Sequence, residues 1–147
     1  MKIIKADSDN LYQLAELFDL YRQFYDQTSD QESALKFLSE RISKKESEIF
    51  ISLDGEGNAS GFTQLYPYFT SVGMKRAWIL NDLFVKKEYR KKGVAEALIN
   101  AVREFAEKSD SAFVMLETQK TNTDAARLYE RTGFKKDEEH FYFYLNV

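Results

Sequence analysis

Apolar residues recur at helical spacing near the start of the chain. Leu11, Leu14, Leu17, Phe18, Tyr21 and Tyr25 fall on one face if residues 9–26 are helical. Asp7, Ser8 and Asp9 come just before, and each can accept from the free N–H groups of a helix start. "TSDQ" interrupts the pattern, and Ala34, Leu35, Leu38 and Ile42 give a second helical stripe over 30–45. The period then changes to two. "EIFISLDGEGNASGFTQLYPYF" (48–69) reads as a hairpin whose turn, "DGEGN", holds residues able to take positive φ. Pro67 is expected to end its regular pairing.

"RAWILNDLFV" (76–85) is the longest predicted strand. Trp78, Ile79, Leu80, Leu83, Phe84 and Val85 break simple alternation, so both its faces need cover, as in a central strand. From Gly93 a helix follows, with Val94, Ala95, Leu98, Ile99, Val102, Phe105 and Ala106 along one side. "SAFVMLET" (111–118) predicts another buried strand. Residues 123–131 predict a short helix with Ala125, Leu128 and Tyr129 inward and Gly133 as its stop. "KIIKA" (2–6) opens the chain as a strand, and "EHFYFYLNV" (139–147) closes it as one. The order is strand, two helices, hairpin, then strand-helix-strand-helix-strand. It predicts one mixed α/β domain over 1–147 with a sheet of six or seven strands.

Composition narrows the chemistry. The absence of cysteine excludes disulfides, a thiolate nucleophile and Cys-based zinc sites, and it fits a reducing cytoplasm. His140 is the one histidine, so neither a His-rich metal site nor a His-based triad is expected. The N-terminus lacks the long apolar run of a signal peptide, and no run is long enough to span a membrane. The net charge of −3 is unevenly placed: residues 1–70 carry −5 and residues 71–147 carry +2. The acidic half suits a cationic substrate. The overall acidity, with no broad basic face, argues against nucleic-acid binding. Aromatics reach 15%, enough for a Phe-rich core or an aromatic-lined pocket.

The densest basic cluster lies between the central strand and the next helix. Lys86, Lys87, Arg90, Lys91 and Lys92 surround Gly93 at the helix start. A helix N-terminus presents unpaired N–H groups and partial positive charge, which together attract an anion. A glycine there lets backbone come close to the ligand. A pyrophosphate fits, yet neither the Walker pattern nor G-x-G-x-x-G is present. Asp82, on the same strand, is a second point of interest. A charge buried there costs several kcal/mol unless paired, so it needs a structural partner or a functional role.

"LNDLFVKKEYRKKGVAEALI" resembles the acetyl-CoA motif of the GNAT N-acetyltransferase superfamily, with Arg90-Lys91-Lys92-Gly93-Val94-Ala95 in place of Arg/Gln-x-x-Gly-x-Gly/Ala. "LETQKTNTDAARLYERTGF" resembles the second half of that signature, with Asn122, then Tyr129, then Gly133-Phe134. The diamine and histone-type branch looks most similar. The resemblance covers 78–134, and it implies a GNAT-type fold with a mostly antiparallel sheet and helices on both faces. It implies that backbone amides of Arg90, Lys91, Lys92, Gly93, Val94 and Ala95 wrap the CoA pyrophosphate. The pantetheine would lie along Leu83, Phe84 and Val85, Asn122 would contact the cofactor, and Tyr129 would protonate the departing thiolate. Relatives of this kind are often homodimers.

Two departures stand out. Ala95 replaces a frequent glycine. Asn81 replaces the glutamate that polyamine enzymes use in proton removal, leaving Asp82 and Glu117 as candidates for that task. The expectation is a cytoplasmic acetyl-CoA-dependent N-acetyltransferase in which a primary amine attacks the thioester directly, without metal. The alternative is a non-catalytic acyl-CoA-binding or regulatory domain on the same fold.

Overall fold

The first helix starts where the cap chemistry lies. In the computed structural model, which describes residues 1–147, the Asp7 carboxylate accepts from the Asp9 N–H at 2.8 Å and Asn10 Oδ1 accepts from the Asp7 N–H at 3.3 Å. This reciprocal pair satisfies backbone donors that a helix start leaves open. A 3₁₀ turn over Ser8–Asn10 then runs into α1 (Leu11–Phe24). α2 (Gln31–Ser43) is capped by Asp30, which accepts from the Ser33 N–H at 3.0 Å. The link between the helices is pinned by buried Asp19, which accepts from Ser29 Oγ and the Asp30 N–H, each at 2.7 Å.

Five strands form one sheet: β1 (Lys2–Lys5), β2 (Glu48–Leu53), β3 (Ala59–Thr70), β4 (Lys75–Val85) and β5 (Val114–Met115), in that spatial order. Neighbours are antiparallel through β4, and β5 joins β4 in parallel. α3 (Val94–Lys108) follows β4, and α4 (Thr123–Arg131) follows β5. Alternation along the strands divides two cores. Ile49, Ile51 and Phe62 pack with Leu14, Leu17, Phe18 and Leu38 of α1 and α2. Phe50 and Trp78 point the other way and meet Phe105 of α3 at ring distances of 5.6 and 5.1 Å. Helices therefore cover both faces of the sheet. The chain divides into two units, residues 1–117, which hold the whole sheet and α1 to α3, and residues 118–147, which hold α4.

The helices and the hairpin lie where the sequence pattern puts them, but the strand count is five rather than six or seven. Of "SAFVMLET" only Val114 and Met115 form a ladder, and both are half-buried rather than buried. "EHFYFYLNV" belongs to no strand, because alternation and β propensity make a strand only beside a partner edge. Pro67 does not end pairing: it faces Trp78 within β3, which continues to Thr70. The Ser60 C=O accepts from the Lys86 N–H at 2.9 Å, so even-numbered β3 residues address β4 and Pro67 addresses the other edge. β2 reaches only to Leu65, so no ladder bond is lost for want of a proline N–H.

Candidate active site

β3 and β4 fall out of step at one point. Gln64 faces Asp82, whereas Leu65 faces Leu80, so Asn81 is an extra residue on β4. Such a β-bulge disrupts the ladder and re-aims side chains. Trp78 packs on α3, yet Phe84, also even-numbered, meets Tyr21 of α1 at 6.3 Å. The bulge thus turns Asp82 toward α1.

Asp82 is 4% exposed. Gln64 Nε2 donates to its Oδ2 at 2.7 Å, Asn81 Nδ2 donates to its Oδ1 at 3.1 Å, and the Tyr21 hydroxyl is a third hydrogen-bond partner. Ser47 Oγ donates to Gln64 Oε1 at 2.9 Å, which fixes the amide with its NH₂ toward the carboxylate. Burial pushes the Asp82 carboxyl above the ordinary aspartate value; the three hydrogen bonds favour the ionised form and offset only part of that. Burial, reinforced by the charge of Asp82, pushes the Tyr66 hydroxyl up to about 12.

The other edge of β4 opens beyond the bulge. Counting back from Lys86, whose N–H addresses β3, Leu83 and Val85 direct their backbone groups to the opposite side. β5 pairs with β4 only at Trp78–Val114 and Ile79–Met115, so no strand lies beside Leu83, Phe84 and Val85 there. The Val85 C=O accepts from Arg90 Nε at 2.9 Å. Leu83 offers an N–H and a C=O to any extended ligand that carries amides.

The chain then turns sharply into α3. A 3₁₀ turn (Lys87–Tyr89) is followed by left-handed backbone at Lys91 (φ 59°) and Gly93 (φ 81°). Gly93 caps α3 without a side-chain bond, and a Cβ placed on it would meet nothing within 4 Å. The place of a Gly93 side chain is therefore open, at the head of a 15-residue helix where the macrodipole is positive. Arg90, Lys91 and Lys92 are exposed around it. The Arg90 guanidinium lies 5.8 Å from both the Phe24 and Phe84 rings, and Lys92 lies over Tyr89 at 5.8 Å. Lys86, counted in the basic cluster by sequence, is instead paired with Glu16 at 2.8 Å.

Tyr89 and Asp54, neither of them a candidate site residue, hold this turn. The Tyr89 hydroxyl donates to Asp54 Oδ2 at 2.7 Å, and Asp54 also accepts from the Glu56 and Asn58 N–H groups, each at 2.9 Å. The hydroxyl of Tyr89 and the donors at Asn58 hold the Asp54 carboxyl well below the usual range. Sequence marked Asp54 only as a turn residue, and nothing in the motif signals its reach to Tyr89.

In the second unit, Asn122 is the N-cap of α4, with its Oδ1 accepting from the Ala125 N–H at 3.3 Å. Tyr129 follows seven residues later, about two turns along the same helix face. It is half-buried and meets Phe134 edge-to-face at 5.7 Å. The helix ends as Gly133 predicts: Gly133 takes φ 98°, its N–H reaches the Glu130 C=O at 3.1 Å, and the Phe134 N–H reaches the Tyr129 C=O at 3.0 Å. Asp82, the open edge at 83–85 and the turn at 90–95 thus come together within residues 1–117, joined by Arg90 and Val85. Asn122 and Tyr129 share α4.

Comparison with known proteins agrees with this geometry. A model of the Acetyltransferase (GNAT) family matches residues 11–134. A Bacillus subtilis (strain 168) protein called uncharacterized N-acetyltransferase YhfO is 41% identical over 147 residues, covering 100% of this chain and 98% of its own. A probable acetyltransferase of Haemophilus influenzae is 32% identical, covering 100% and 99%. The crystal structure of a probable acetyltransferase superposes with a TM-score of 0.96 at 38% identity, over 100% and 98% of the two chains.

Proposed function

The chain belongs to the GNAT family of acetyltransferases, and from that premise we propose that it moves an acetyl group from acetyl-CoA to a primary amine by direct attack. One observation carries the reading. An open strand edge at Leu83–Val85 runs straight into an uncapped helix start at Gly93. The edge suits the amides of pantetheine, and the helix start suits a diphosphate. Ala95 is small enough to leave that helix start accessible. Arg90, Lys91 and Lys92 add positive charge, each worth roughly 0.3–1 kcal/mol when exposed. Asn122, a cap in α4, is assigned a cofactor contact by the motif.

The amine must be uncharged to attack, because its lone pair is the nucleophile. A bond forms from its nitrogen to the acetyl carbon, and the carbon–sulfur bond breaks. A backbone N–H of β4 near the bulge faces the carbonyl oxygen as it gains charge. Asp82 takes the amine proton through water, its raised pKa bringing it nearer to that of the amine. Tyr129 gives a proton to the departing thiolate. Asn81 holds Asp82 and is not itself a base. The deciding experiment is a panel of primary amines with acetyl-CoA, following CoA release. A polyamine, an amino acid, an aminoglycoside and a peptide N-terminus span the acceptor classes. Turnover with at least one is expected, and CoA binding without turnover across a broad panel refutes the reading.

A further inference from the structure

We propose, resting on the acetyl-transfer reading, that the Tyr21 hydroxyl is the relay through which the amine proton passes from water to Asp82. Asp82 is buried and presents almost no surface to solvent. Three donors meet its carboxylate: Gln64 Nε2, Asn81 Nδ2 and the Tyr21 hydroxyl. The first two are amides, whose NH₂ groups donate and do not accept. They hold the carboxylate and pass nothing on. A phenol hydroxyl donates and accepts at once. Of the three, Tyr21 alone can give its own proton to Asp82 while taking another.

The position of Tyr21 suits a relay. It is half-buried where Asp82 is buried, so their hydrogen bond leads from the interior outward. Four rings fix it: Tyr25 at 5.1 Å, Phe62 at 5.9 Å, Phe18 at 6.2 Å and Phe84 at 6.3 Å. Phe84 belongs to the open edge at 83–85, so the contacts that hold the ring also set it beside the strand proposed for the pantetheine. Tyr66 is the titratable side chain that feels the Asp82 charge from β3. Burial, that charge and the smaller opposing pull of Arg41 on α2 leave its hydroxyl at about 12, so it keeps its proton near neutral pH. The proton count closes. The ammonium gives a proton to water, water gives one to the Tyr21 oxygen, and the Tyr21 proton moves to the Asp82 carboxylate. Tyr21 ends as it began, Asp82 ends protonated, and the amine keeps the lone pair that attacks the thioester.

Tyr21→Phe keeps the ring among its four neighbours and removes the relay. With the best acceptor of the amine panel, kcat/KM near neutral pH should fall about 10²-fold or more, with CoA affinity unchanged. The variant must take its amine already neutral from solution. Its kcat/KM should therefore climb about tenfold per pH unit toward the pKa of the acceptor, where the wild type stays level. Asp82→Asn should show the same loss, and adding Tyr21→Phe to it should cost nothing more, because the path is already cut. If the hydroxyl only holds the carboxylate, losing a donor to the ionised form moves the profile to higher pH and leaves its plateau. That result, or losses that add in the double variant, overturns the proposal. A proton inventory on the wild type in mixed light and heavy water reads the relay without any substitution. Several protons moving together give a curved dependence, and a straight line overturns the relay. A wild type that turns over no amine overturns the acetyl-transfer reading and the relay with it, whereas wild-type turnover beside an unimpaired Tyr21→Phe overturns the relay alone.

Discussion

Gly61 is where a single methyl group should disturb the site through the backbone alone. It faces Val85 across β3 and β4. A Cβ at position 61 would lie 2.7 Å from the Phe84 carbonyl oxygen, 3.2 Å from Val85 Cγ2 and 3.3 Å from Val85 Cα. Two of these atoms are backbone, held in the sheet, so the contact cannot be relieved by a rotamer change. Overpacking of this kind costs about 1–3 kcal/mol. Loss of glycine freedom in the unfolded chain returns about 0.4–1 kcal/mol. The net destabilisation of Gly61→Ala is therefore about 1–2 kcal/mol, or a fall in Tm of roughly 2–8 °C for a chain of this size. The strand must also yield at Phe84 and Val85, and Val85 anchors Arg90. CoA affinity should fall several-fold with it. Gly93→Ala is a control for stability only: in the free protein the added Cβ meets nothing, and the cost is about 1 kcal/mol for left-handed backbone alone. Calorimetric melting of both variants and CoA titration of Gly61→Ala measure these effects. A Gly61→Ala protein that melts with the wild type and binds CoA equally would refute the reasoning.

Further outcomes follow from the site. Gly93→Asp sets a carboxylate at the uncapped head of α3, so the folded variant should lose most of its CoA affinity by calorimetry. CoA binding should weaken as salt rises, because the Debye length shrinks to about 3 Å at 1 M, and dephospho-CoA should bind less tightly if Lys or Arg reads the 3′-phosphate. Tyr129→Phe keeps the ring and removes the hydroxyl; kcat should fall by about 10²-fold or more with CoA affinity near normal, and full kcat would remove Tyr129 from the reaction. For Asp82, the folded pKa lies above the unfolded one. Its stability contribution is therefore full at acid pH and lost as pH rises through the folded value. Asp82→Asn lacks that loss, so its Tm relative to wild type should improve between pH 4 and pH 7, and a pH-independent difference would contradict the raised carboxyl.

The helices were legible in the sequence because their stripes, caps and stops are local. Asp30, Asn122 and Gly133 each act on residues within a turn or two. The turn at Gly93 was legible too, since positive φ and basic neighbours leave a local trace. Lys86 misled, because its partner Glu16 lies 70 residues away. Tyr89 and Asp54, 35 residues apart, escaped for the same reason. The strand count failed because "EHFYFYLNV" has the pattern of a strand and finds no edge within the described fold. The uneven alternation of β4 was read as burial on both faces, which is correct. Its second cause, the bulge at Asn81, depends on register with β3 and leaves no mark in one strand read alone.

That extra residue sets a genetic constraint. The two ends of β4 are out of phase by one position, and Asn81 takes up that difference against a regularly alternating β3. Deleting the single codon for Asn81 would restore regular pairing and make the strand more ordinary. It would leave Asp82 opposite Gln64 and Phe84 opposite Phe62, still on the α1 side, but would remove the amide that donates to Asp82 Oδ1. Point substitutions at Asn81 keep the strand in frame, but an acid there would lose the amide donation to Asp82. Swaps of β4 with related chains should accordingly keep the bulge whole, with crossovers placed in the loops on either side of the strand.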